Sequence, residues 1–81
     1  MSNEEIFQKL QEMIADQFTV DCEEVQMSTS FENDLGADSV DLVELVMGIE
    51  DEFDVGEIDE NDLSGLKTVG DCVQYLSGRL K

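Results

Sequence analysis

The side chains that could do chemistry here are few. The chain has no histidine, two separated cysteines (Cys22 and Cys72), and 21 aspartates and glutamates. A classical serine nucleophile needs a base such as histidine, so its absence argues against self-contained serine hydrolysis. A metal site of thiols and imidazoles lacks its ligands. The densest acidic run, Asp51 to Asp62, suggests a calcium loop, which needs oxygen ligands at its first, third and fifth positions and glycine at the sixth. Setting Gly56 sixth puts Ile58 eighth, as required, but puts Phe53 third and Val55 fifth, and neither can ligate. What remains is Ser39, within Asp38-Ser39-Val40-Asp41. Serine is ordinary at a helix start, where it caps. It can also be an acceptor that another enzyme modifies. Backbone N–H groups and the helix dipole favour an added phosphoryl group there. Asp38 and Asp41 oppose it, so these two acids read better as contacts for a partner enzyme or its metal ion.

Charge narrows the choice of partner. Four lysines and arginines leave a net charge of −17 on 81 residues. Such a surface repels nucleic acid and anionic membranes and speeds encounter with basic protein patches. Its self-repulsion makes the fold sensitive to salt and divalent cations. An apolar content of 41%, arranged periodically, argues against disorder. One domain spanning 1–81 is expected, and a core this small favours a carrier or binding module over an enzyme. The N-terminus is polar and acidic and no apolar run has transmembrane length, so we expect a cytoplasmic monomer with free thiols and no membrane insertion.

The elements that position Ser39 are helical. Ser2-Asn3-Glu4-Glu5 forms a capping box. Ile6, Phe7, Leu10, Met13 and Ile14 follow at helical spacing, predicting a helix from Asn3 to Asp16 or Phe18. Thr19 to Ala37 has no sustained period, and Val20, Val25, Met27, Phe31 and Leu35 read as anchors pinning a long loop. Asp38 to Phe53 is the clearest helix, with Asp38 as its N-cap. A short helix is expected near Asp59 to Leu63. Thr68-Val69-Gly70-Asp71 opens a last helix through Leu80, whose negative C-terminal end suits Arg79 and Lys81. The expected fold is all-α: a small four-helix bundle of three longer helices and one short one, with a long loop between the first two.

The second helix has two apolar faces. At roughly 100° per residue, Leu42, Leu45, Val46, Ile49 and Phe53 form one stripe facing the core. Val40, Val43 and Met47 fall outside it, on the side of Glu44, Glu50 and Asp51. Other segments could cover them. Alternatively they form an exposed strip with an acidic rim, beginning beside Ser39, to which partners dock.

The stretch Leu35-Gly36-Ala37-Asp38-Ser39-Val40-Asp41-Leu42-Val43-Glu44-Leu45-Val46-Met47 closely resembles the signature of the acyl carrier protein family. Phe31 to Leu35, Glu50 to Asp54 and Lys67 to Asp71 extend the resemblance over nearly the whole chain. It implies a non-enzymatic carrier. A carrier-protein synthase (a phosphopantetheinyl transferase) with bound Mg²⁺ attaches 4′-phosphopantetheine from coenzyme A to the Ser39 hydroxyl, and the arm holds acyl chains as thioesters. The resemblance further implies that the chains can shelter between helices. Partners then include fatty-acid-synthesis enzymes with basic docking patches; by position Asp38 helps the transferase recognise the site and Val40, Val43, Glu44 and Met47 face partners, to which the residue reading adds the acids Asp41, Glu50 and Asp51. The chain departs from the family at three places. Val40 stands where bacterial fatty-acid carriers usually have leucine. Gly48 stands where alanine is commoner. Val55-Gly56-Glu57-Ile58-Asp59 lacks a proline and is one residue longer. A polyketide, peptidyl or D-alanyl carrier is the alternative within the superfamily. An acidic interaction module accounts for the charge but not for Asp38-Ser39.

Overall fold

The computed structural model describes residues 2–80, so Lys81 lies outside the described residues. Four helices follow in order: α1 (Asn3–Phe18), α2 (Ser39–Phe53), α3 (Glu60–Leu63) and α4 (Val69–Arg79), with one 3-10 turn at Cys22–Glu24. The capping boxes set three of the starts. The Glu5 N–H donates to Ser2 Oγ at 3.2 Å, the Asp41 N–H to Asp38 Oδ1 at 3.0 Å, and the Asp71 N–H to Thr68 Oγ1 at 3.2 Å. In each box the third helical residue returns a carboxylate to the cap backbone, so two unpaired donors are satisfied together. The N–H groups of Thr68 and then Lys67 hold the Asp71 carboxyl below the usual aspartate range. Its stabilisation is present at neutral pH and is lost as pH falls through that lowered value.

α1 packs chiefly against α4 and also against α2. Ile6, Leu10 and Ile14 of α1 meet Leu45, Val46, Ile49 and Phe53 of α2 and Val69, Cys72, Val73 and Leu76 of α4 in one buried core. Cys72 is buried, which pushes its thiol up to about 12. Cys22 is exposed and both thiols are free.

The long loop contributes to this core and does not merely cover it. Val25, Phe31 and Ala37 are buried, whereas Val20 and Leu35 are half-buried. Met27 corrects the expectation of an apolar anchor, since its side chain is 44% exposed. Position 27 is anchored by its backbone instead: the Gly70 N–H donates to the Met27 carbonyl at 2.8 Å. A Cβ at Gly70 would stand 3.0 Å from that oxygen, so the close approach favours glycine. The Phe31 N–H donates to the Lys67 carbonyl at 3.1 Å and the Val69 N–H to the Thr29 carbonyl at 3.0 Å, forming an isolated antiparallel bridge around Ser30 and Thr68. The Gln11 amide donates to the Cys22 and Val25 carbonyls, each at 2.9 Å.

Gly48 in α2 faces Met13 of α1, whose terminal methyl would lie 3.2 Å from a Cβ at position 48. That methyl ends a flexible side chain and can swing aside. Gly48→Ala is therefore expected to stabilise the fold by up to about 1 kcal/mol, the usual helix preference of alanine over glycine. A higher urea midpoint at unchanged m-value is the expected reading. A lower midpoint would show that Met13 cannot yield.

Candidate functional site

Ser39 is the first residue of α2, directly after its N-cap Asp38, and it is exposed. The approach to it is fixed by the loop. Gly36 takes the left-handed conformation (φ 65°) that a Cβ disfavours. The Ala37 N–H then donates to the Phe31 carbonyl at 2.8 Å, which aligns the chain for the cap at Asp38. On the far side, the Gln17 amide of α1 donates to the Asp41 carbonyl at 2.8 Å. The first turn of α2 is thereby held from both directions.

The exposed strip lies where the helical wheel puts it. Val40 and Met47 are each 62% exposed and Val43 is 47% exposed, while Leu45, Val46, Ile49 and Phe53 are buried. Glu44 and Asp51 are exposed beside them. Glu50 has a structural task as well. It is half-buried, and its carboxylate accepts from the Ile58 N–H at 2.8 Å, fastening the segment between α2 and α3. The carboxylates of Asp38 and Asp41 complete the capping box, so both have a structural task in α2.

Leu42 packs against the core, as the wheel puts it, and also reaches the surface. It is half-buried, and with Ser39 and Val43 it lines an open groove of about 760 Å³. Phe31 and Leu66 are the buried residues along this groove, and Leu63 of α3 lines its wall. The sequence signals these residues only as apolar positions. What the arrangement can do is receive an extended apolar group that starts at Ser39. The chain has no histidine to act as a base for this serine.

Within the acidic run from Asp51 to Asp62, Glu52, Asp59 and Asp62 serve the fold. Lys9 Nζ pairs with Glu52 at 3.0 Å on the surface. Asp59 accepts from the Asn61 N–H at 3.1 Å, and Asp62 accepts from the Tyr75 hydroxyl at 2.9 Å. The segment after α2 is held by Arg79, which donates to the Val55 carbonyl at 3.0 Å and the Glu57 carbonyl at 3.3 Å.

A helical bundle with a serine opening its second helix beside an apolar groove is the form of a prosthetic-group carrier domain. The family model described as the phosphopantetheine attachment site matches residues 8–76. The acyl carrier protein of Lactobacillus acidophilus is 50% identical over 76 residues, 94% of this chain and 94% of that protein. The acyl carrier protein of Clostridium perfringens is 49% identical over 72 residues, 89% of this chain and 93% of that protein. The solved structure of the Enterococcus faecalis acyl carrier protein superposes with a TM-score of 0.81 at 34% identity, over 98% of this chain and 99% of that chain. The chain belongs to the acyl carrier protein family of phosphopantetheine-attachment domains. Its role is that of an acyl carrier, and its cofactor is phosphopantetheine.

Proposed function

We propose that Ser39 is the attachment residue, that residues 1–81 act as one carrier domain, and that the acyl chains belong to cytoplasmic fatty-acid biosynthesis. The observation that carries this reading is the exposed Ser39 at the start of α2, lining an apolar groove. When attached, phosphopantetheine supplies a terminal thiol that holds acyl groups as thioesters. The protein's own residues do the rest. The capping box of Asp38 and Asp41 fixes the first turn of α2, so the Ser39 hydroxyl is presented at a defined place. Leu42, Leu63 and Leu66 offer apolar surface that keeps water from an acyl chain. No helix among the described residues is long and apolar enough to cross a membrane.

Partners dock on the strip beside Ser39. Val40, Val43 and Met47 form its apolar centre, and Glu44 and Asp51, with the outward side of Asp38 and Asp41, form its acidic rim. A basic patch on a transferase or a fatty-acid-synthesis enzyme complements it in charge and in apolar area. Glu50 supports the end of α2 through Ile58 and adds its charge at the edge of the strip. Met47→Glu and Glu44→Lys are both exposed changes, so the thermal midpoint should stay within a few degrees. Both should lower kcat/KM of transferase loading about tenfold, the equivalent of about 1.4 kcal/mol of docking energy. Equal loading rates for wild type and both variants would remove the strip from the account.

A further inference from the structure

α3 cannot hold itself in place. Its four residues make a single turn, and an isolated turn is unstable in water without tertiary support. Among the described residues its backbone packs closely on no other helix. Ile58 before it and Leu66 after it are buried, but Leu63 is only half-buried and faces the groove.

Two side chains of α4 reach across to it. The Tyr75 hydroxyl donates to Asp62 Oδ2 at 2.9 Å, which ties α3 directly to α4. Arg79 Nη1 donates to the Tyr75 hydroxyl oxygen at 3.1 Å, and its guanidinium carbon sits 5.5 Å from the centre of the Tyr75 ring. Arg79 Nη2 donates to the carbonyls of Val55 and Glu57, so the same cation secures the chain leading into α3. Burial and the bond to Asp62 raise the Tyr75 hydroxyl above its ordinary value, so it stays a donor at neutral pH. α4 itself is fixed in the core by Cys72, Val73 and Leu76. The bonds therefore run from a rigid helix to a short one that forms a wall of the groove.

We propose that Tyr75 and Arg79 form a latch that positions α3 as the movable wall of the groove beside Ser39, and so set how well a long acyl chain is sheltered there. This rests on the reading of that groove as the shelter of the acyl chain. Tyr75 and Arg79 are positioning residues, and neither lines the groove. Opening the latch changes the barrier to exposing the thioester, and it does so more for a chain long enough to reach Leu63 than for a short one.

The test uses the holo protein charged with octanoyl or acetyl groups, as wild type, Tyr75→Phe and Arg79→Gln. Tyr75→Phe removes one hydroxyl and keeps the ring, so folding is preserved. Amide hydrogen exchange is read at Leu63 and Leu66, whose N–H groups donate to Asp59 and Leu63 carbonyls at 3.0 Å. Both variants should speed exchange there about five- to tenfold, the factor expected from losing one hydrogen bond's worth of local stability, with α1 amides unchanged. Hydroxylamine should cleave the octanoyl thioester faster in both variants by a similar factor and the acetyl thioester at the wild-type rate. Unchanged exchange at Leu63 and Leu66 overturns the latch. Faster exchange with unchanged octanoyl cleavage overturns its control of the groove. If wild type itself cleaves both thioesters equally fast, the shelter reading fails and takes the latch's role in it along, while the exchange data still report whether α3 is held.

Discussion

Ser39→Ala is expected to take phosphopantetheine loading from complete to none. The size of the effect follows from the bond that must form, because alanine offers no oxygen to accept the phosphoryl group. Three other hydroxyls line the same groove and could in principle substitute: Ser30, Ser64 and Thr68. Each has local work. Ser30 Oγ accepts from the Asn33 N–H at 3.1 Å, Ser64 Oγ donates to the Asn61 carbonyl at 2.8 Å, and Thr68 Oγ1 caps α4. Among the described residues no hydrogen bond ties down the Ser39 side chain, and it alone adjoins the exposed strip of α2. Alanine is a good helix former in the first turn, so the variant should fold with an unchanged circular dichroism spectrum. Intact mass after incubation with coenzyme A, Mg²⁺ and a transferase decides it. Loading of Ser39→Ala at the wild-type rate would place the arm elsewhere.

Phe31→Ala is expected to destabilise the fold by about 3–5 kcal/mol, the usual loss for truncating a buried phenylalanine. Phe31 is 1% exposed and is among the largest fully buried side chains of the protein. Its backbone also holds two junctions, donating to Lys67 and accepting from Ala37. A domain of this length is stable by roughly 4–12 kcal/mol, so the change removes a large share of the total. The loop from Thr19 to Ala37 then loses its largest anchor, and the approach to Ser39 loosens with it. Urea unfolding measures the loss. A cost below about 1 kcal/mol would mean that the loop is held by its backbone bonds alone, since that is what one net hydrogen bond contributes.

Much of this was legible in the residues because it is local or periodic. Ser2, Asp38 and Thr68 announce three helix starts, since capping needs only residues three apart. That Val40, Val43 and Met47 face away from the core follows from the angle between successive side chains on a helix, and their exposure from the absence of a covering segment among the described residues. The short α3 falls at Glu60–Leu63, within one residue of where the sequence puts it. What escaped was tertiary. Glu50 looks like a rim acid on the wheel, yet a loop eight residues on turns its N–H toward it. Met27 reads as an anchor by its hydropathy, yet its carbonyl does the anchoring, through a glycine in another helix. Arg79 reads as a charge suited to a helix end, whereas its guanidinium spans to carbonyls more than twenty residues away. A flexible side chain reaching across the fold leaves no period and no motif behind it. The groove was hidden for a similar reason. Its walls come from α2, α3 and the loop, and only folding brings Phe31, Leu42 and Leu63 together.

We propose Ser39, in a chain without histidine, as the residue to which a partner docking beside it attaches the arm. Peptide mapping by mass spectrometry tests it most directly. The wild-type protein is loaded with coenzyme A, Mg²⁺ and a transferase, digested, and every serine located among Ser2, Ser28, Ser30, Ser39, Ser64 and Ser77. The account predicts one phosphopantetheine per chain, on the peptide containing Ser39 and on that residue within it. An arm on any other serine, or no added mass with a transferase that loads a related carrier in the same experiment, would contradict it.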